Sequence, residues 1–193
     1  DIDGLFAIGT GRAAIRIDGA LTGNLVHTGT IVVEGNNSAG IRAAGPITGN
    51  VTHEGRTTVT GNNSLGVGLG DVSGNVRLAG EIIARGANTQ GAVLAGDIGG
   101  ALRVQSTMTV SGYRTVPAPA DVSRLDADDL LQGGSALVIE GNVARGIIFE
   151  IPPADLLATD ADEDKDGIED AKEGNTRIVS FGSAPAVQIG SAT

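Results

Sequence analysis

Residues 13–38 read AAIRIDGALTGNLVHTGTIVVEGNNS and residues 39–64 read AGIRAAGPITGNVTHEGRTTVTGNNS, two 26-residue copies that follow one another without a gap. A repeat of this length is one structural unit that cannot bury its apolar face alone, so it must stack on its neighbours. Residues 65–89, LGVGLGDVSGNVRLAGEIIARGANT, form a third copy, one residue shorter. Residues 90–114, QGAVLAGDIGGALRVQSTMTVSGYR, form a fourth and weaker one. A fifth opens at ALVIEGNVARG (136–146) and resumes at TRIVSFGSA (176–184). PAVQIG (185–190) opens a sixth, and GLFAIGTGR (4–12) reads as the tail of a copy before the first.

Each copy holds three short stretches of period-2 alternation separated by Gly or Gly-Asn, in the first copy AIRID, LVH and TIVVE. Alternation over four to six residues specifies strand rather than helix. Three strands in so short a repeat are too few residues for a propeller blade and fit one coil of a stacked structure. The expected fold is therefore all-β: a right-handed parallel β-helix, or β-solenoid, of about 25-residue coils, its strands stacked at about 4.8 Å. Like residues should form columns along the axis. Leu25, Val51, Val76 and Leu102 make one inward column, and Val33, Val59, Ala84 and Val110 another. Arg16, Arg42, Thr58 and Arg103 should point outward. Aromatics are only 2% of the chain, so the core must be aliphatic.

The corners form columns as well. Asn24, Asn50 and Asn75, and then Asn37, Asn63 and Asn88, recur at fixed places. Stacked Asn side chains can hydrogen-bond along the axis, and Asn tolerates left-handed backbone at a tight corner. His27 and His53 share one repeat position, held by Leu78 and Val104 in later copies, so they should stack inward or at a corner. Two His without a third ligand make a weak zinc site.

The net charge is -10, and its distribution matters more than its size. Segment 115–135 carries four Asp and one Arg, and segment 147–175 carries ten acidic side chains and two Lys. The remainder is close to neutral, and no basic stripe suited to nucleic acid is present. The organisation expected is one continuous domain: coils over 1–114, a short helical insertion over 115–135, a coil over 136–146, an acidic insertion over 147–175 and a coil over 176–193. Both ends read as cut coils. The chain is expected to be a window of a longer solenoid, or to meet other subunits through its ends or lateral faces.

The acidic insertion contains DEDKDGIEDAKE. Asp162, Asp164, Asp166, Gly167 and Glu173 match the D-x-[DN]-x-[DN]-G-x₅-E calcium-loop pattern without deviation. Calcium takes six to eight hard oxygens at flexible distances. Alternating Asp residues can turn inward around such an ion, and Gly167 permits the sharp turn. Ile168 would offer its backbone carbonyl, Asp170 would bind directly or through water, and Glu173 would close the loop. The expected ligands are thus Asp162, Asp164, Asp166, Ile168, Asp170 and Glu173, and the expected cofactor is calcium. Long flanking helices are not evident, so the loop resembles a thrombospondin type 3 or dockerin calcium loop more than a regulatory EF-hand.

Catalysis is not expected. The remaining carboxylates do not form one repeated cluster, sugar-stacking aromatics are scarce, and no Ser-His-Asp set or phosphate loop is present. No cysteine excludes disulfides and thiolate metal sites. No apolar run approaches the ~20 residues of a membrane span. The Gly/Asn/Thr-rich repeats, such as ITGNVTHEGRTTVTGNNSLGV, resemble the passenger regions of bacterial autotransporters of the alphaproteobacterial type. That resemblance covers the solenoid. It implies an extracellular, outer-membrane-associated cell-surface location and a structural role as layer, fibre or stalk. The alternative it leaves open is an adhesin for a surface glycan or protein ligand.

Overall fold

The computed structural model describes residues 4–112, 121, 123–126, 132–151, 159–163, 165 and 168–190. They form a β-solenoid of stacked coils of about 26 residues, with no α-helix among the described residues. Sheet 1 stacks Gly4–Ile8, Thr30–Glu34, Arg56–Thr60, Glu81–Arg85, Thr107–Ser111 and Arg177–Phe181. Sheet 2 stacks Ala13–Ile17, Ala39–Ala43, Leu65–Leu69, Gln90–Leu94, Leu137–Ile139 and Val187–Ile189. Sheet 3 stacks Leu25–His27, Val51–His53, Val76–Leu78, Leu102–Val104 and Ile147–Phe149. All pairings are parallel.

The register is that of the repeat. Val33, Val59, Ala84 and Val110 lie in line, each with no exposed surface. Leu25, Val51, Val76, Leu102 and Ile147 form the column on sheet 3. On sheet 2, period-2 alternation turns Arg16 and Arg42 outward between inward Ile and Ala residues. The interrupted fifth coil closes as the repeat requires, because Arg177–Phe181 pairs with Thr107–Ser111 across both interruptions.

Two features differ from the sequence expectation. Each coil has a fourth, very short strand position. Leu21–Thr22 pairs with Ile47–Thr48, and single bridges continue the line through Val72, Ile98 and Val143. The second difference is a boundary. Ile147–Phe149 is a strand paired with Leu102–Val104, so the fifth coil runs on to Phe149 instead of ending at residue 146. Burial of the sheet-3 column requires that strand. The short helix expected within 115–135 falls largely on residues outside the described set. Asp121 is described, and hydrogen bonds first from the Ser123 side chain and then from the Ser123 N–H, at 3.0 Å, hold its carboxyl pKa below the usual carboxylate value.

Corners supply the polar half of the stacking. The Asn24 Oδ1 accepts the Asn50 N–H at 2.9 Å, Asn50 accepts from Asn75 at 2.8 Å, and Asn75 accepts from Ala101 at 2.9 Å. At the next corner the acceptors are Asn36 and Asn62, each bonded to the following coil at 2.9 Å. Their neighbours Asn37, Asn63 and Asn88 take the left-handed turn, with φ of 57°, 53° and 55°. A third ladder runs from Asp71 to the Asp97 N–H and from Asp97 to the Asn142 N–H. Inside, Ser38 and Ser64 hydroxyls accept N–H groups from the preceding coil at 3.1 Å and donate to carbonyls beneath. These bonds satisfy backbone groups that no strand reaches. Close approach at such corners demands glycine: at Gly61, φ is 151° and a Cβ would meet the Gly35 carbonyl oxygen at 2.1 Å.

The aliphatic columns carry the stability. Leu102 has no exposed surface, whereas Val26 on the outside of the same sheet is 59% exposed. Leu102→Ala should therefore cost about 2–5 kcal/mol in chemical denaturation. Val26→Ala should change stability by less than ~0.5 kcal/mol. Comparable losses for the two would contradict the assigned register.

Candidate metal centre

The acidic insertion leaves the fifth coil between Glu150 and Thr176, and the two residues close its neck. The Thr176 N–H donates to the Glu150 carbonyl at 2.9 Å, and the Glu150 N–H donates to the Thr176 hydroxyl at 3.1 Å. That hydroxyl in turn donates to the Val104 carbonyl of the coil below. The Arg177 N–H donates to Ser106 and restores the coil. The interruption is thus a loop with a fixed base.

Of the expected ligands, Asp162, Ile168, Asp170 and Glu173 are described, while Asp164, Asp166 and Gly167 lie outside the described residues. The loop curls on itself. The Asp170 N–H donates to the Ala161 carbonyl at 2.8 Å, and the Asp170 carboxylate accepts the Glu163 N–H at 3.3 Å. The residues flanking Asp162 are therefore bound to position nine of the pattern. Lys165 sits at φ 58° and its N–H donates to the carbonyl of Asp162, the first ligand position, at 3.3 Å. A 3₁₀ turn, Asp170–Lys172, follows. In such a turn residues i and i+3 eclipse, so Asp170 and Glu173 leave the backbone on one side.

Glu173 is tied to the solenoid. The Gln105 Nε2 donates to its Oε1 at 2.7 Å. The Gln105 Oε1 accepts the Arg77 Nε–H at 2.8 Å, and Arg77 Nη1 donates to Glu54 Oε1 at 2.6 Å. This chain of polar contacts crosses three coils before it reaches the loop. Beside it, Arg103 pairs with Glu150 at 3.2 Å, with both side chains mostly buried. Ile168 overhangs the outer face of sheet 3 and lines a groove of about 300 Å³ with Thr52, Arg77 and Arg103. The insertion lies against the coil wall at this end instead of standing clear of it.

The described donors, carboxylates of Asp162, Asp170 and Glu173 and the Ile168 carbonyl, are all hard oxygens of the kind calcium takes and thiophilic metals avoid. Among the described residues alone, no group of three or more His, Asp or Glu is gathered closely enough to hold an ion. The pattern's two central carboxylates are outside that set.

The anchor residues were missed by sequence reading, although a signal exists. In the repeat, Gln105-Ser106 stands where earlier copies have Glu54-Gly55 and Ala79-Gly80. The departure falls where the insertion returns: a Cβ on Gly174 would lie 2.5 Å from the Gln105 carbonyl oxygen. The chain's two lysines, Lys165 and Lys172, both lie in the loop, so a lysine-specific protease reads loop order alone. Gln105→Leu removes the donor to Glu173 and should raise the cleavage rate several-fold. It should leave arginine-specific cleavage of the coils unchanged, and equal lysine cleavage in both proteins would contradict the anchoring.

No described helix is long and apolar enough to cross a membrane. No family model, curated protein or solved structure matches the chain.

Proposed function

We propose that this chain is a structural segment of a bacterial cell-surface protein of the autotransporter passenger type, a β-solenoid stiffened on one side by a calcium-bound loop. The observation that carries the reading is the loop itself. Its ligand pattern is complete in sequence, and its neck and its last residue, Glu173, are hydrogen-bonded to the coil wall. Bound calcium would neutralise carboxylates that otherwise repel one another. Asp162, Asp164, Asp166, Asp170 and Glu173 would hold it, with the Ile168 carbonyl. Because the loop is fastened to several coils, ion binding would stiffen the wall as well as the loop.

The role is scaffolding, without catalysis. Support comes from the architecture: exposed charges on the coils pair with one another, as in Arg16 with Asp18 and Arg56 with Glu81. Stacking of further coils on either end, from the same chain or a neighbour, fits the columns that reach those ends. Leu5 continues the column of Ile31 and is 45% exposed, and Ile189 continues that of Ile139 and is 64% exposed. An adhesive role through surface ligands is the alternative, and it would require a binding face in addition to the scaffold.

A calcium titration followed by calorimetry tests the reading. The expected Kd lies in the range of extracellular modules, about 10⁻⁴–10⁻³ M. Saturating calcium should slow lysine-specific cleavage of the loop, and chelator should restore it. Glu173→Gln should weaken binding by at least an order of magnitude. Absence of heat and of protection at ~10 mM calcium, far above that range, would remove calcium from the function.

A further inference from the structure

His27 and His53 belong to no part of the metal centre. They end adjacent strands of sheet 3, Leu25–His27 and Val51–His53, in direct register. Both rings point into the solenoid, 6% and 1% exposed, with centroids 4.9 Å apart and planes inclined by 44°. Among the described residues only one of the four ring nitrogens has a partner: His53 Nε2 lies 2.9 Å from the Thr57 hydroxyl. His27 Nδ1, His27 Nε2 and His53 Nδ1 are buried without one. Nor is there room to recruit a partner beside His27, since a Cβ on Gly55 would lie 2.6 Å from its Cε1.

We propose that this pair is an acid-labile joint between the first two full coils, closed while both rings are neutral and opened when they take up protons. A neutral imidazole buried without partners leaves a single N–H donor unsatisfied, a smaller penalty than that of a buried charge. An imidazolium needs partners for two N–H groups and faces a second ring that also charges. Burial alone lowers the His27 pKa, and burial followed by repulsion from His27 lowers that of His53 to about 4.

Among the described residues no compensating charge faces the rings. Glu54, on the adjoining turn, pairs with Arg77, and Arg56 at the start of the sheet-1 strand pairs with Glu81. Glu34 on sheet 1 and Arg16 and Arg42 on sheet 2 are exposed on the outside. The following coils put Leu78 and Val104 at the same position. A folded pKa below the unfolded value of 6.5 gives stability that is complete above that value and is lost as pH falls toward 4. The loss is local in direction. Among the described strands Leu25–His27 has one neighbour in its sheet and Val51–His53 has two, and the seam between these two strands is the one that opens.

The test compares the whole protein with His27→Leu/His53→Leu, which puts into both coils the residue found at position 78. Amide hydrogen exchange, corrected for intrinsic rate, is read at pH 7 and pH 5. The opening constant of residues 25–34 should rise about twenty-fold in the wild type from His53 alone. It should stay unchanged in the variant, and residues 102–111 should not respond in either. An equal rise in both proteins, or none in the wild type, overturns the proposal. Ring titration by NMR in the wild type does not depend on how the variant folds: protonation of His53 near 4 supports the joint, and protonation near 6.5 overturns it.

Discussion

The structure depends on one constraint: every coil is an open edge until the next coil covers it. A strand of a parallel sheet offers N–H and C=O groups on both sides, and the corners between strands offer more. In this chain the strands are met by strands in unbroken register. The corners are met by Asn, Asp and Ser side chains whose oxygens reach one coil along the axis. Aliphatic columns supply the driving force, while the corner ladders remove the penalty that would otherwise accompany burial of so much backbone. The two kinds of column fix the same register. A slip by one residue would turn apolar side chains outward and break the ladders together.

This double specification explains why most of the fold is legible in the sequence. Each coil repeats the environment of the last, so like residues recur and Val33, Val59, Ala84 and Val110 can be aligned by eye. What is not legible lacks either period or likeness. Leu21–Thr22 is too short to show an alternation. Asp71 and Asp97 each accept an N–H from the following coil, yet they stand where no Asn column marks the place, and the partner of Asp97, Asn142, lies beyond an insertion. At the second corner the expected ladder in the column of Asn63 and Asn88 is present, with the Asn88 side-chain amide donating to Asn63 at 3.3 Å, but the sequence does not reveal that Asn36 and Asn62 beside it take the backbone N–H groups. Only backbone conformation separates Asn36 from Asn37.

The candidate site divides in the same way. The ligand pattern from Asp162 to Glu173 is a local spacing and stands in the sequence. The means by which it is attached is non-local. Gln105 meets Glu173 across 68 positions of sequence, through the return path of an insertion. The trace left in the sequence is a departure from the repeat at Gln105-Ser106. Departures from an otherwise regular pattern are where the solenoid does something besides stack, and the histidine pair at positions 27 and 53 is another.

The claim that joins these observations is that the acidic loop is a calcium site built onto the coil wall. The most direct measurement is diffraction from crystals grown in millimolar calcium, with anomalous scattering used to locate the ion. The expected result is one peak within the loop. Carboxylates of Asp162, Asp164, Asp166, Asp170 and Glu173 and the Ile168 carbonyl should lie about 2.3–2.6 Å from it, directly or through water at Asp170. Gln105 should remain bonded to Glu173. A loop without a peak, or a peak held by other residues, would contradict the claim.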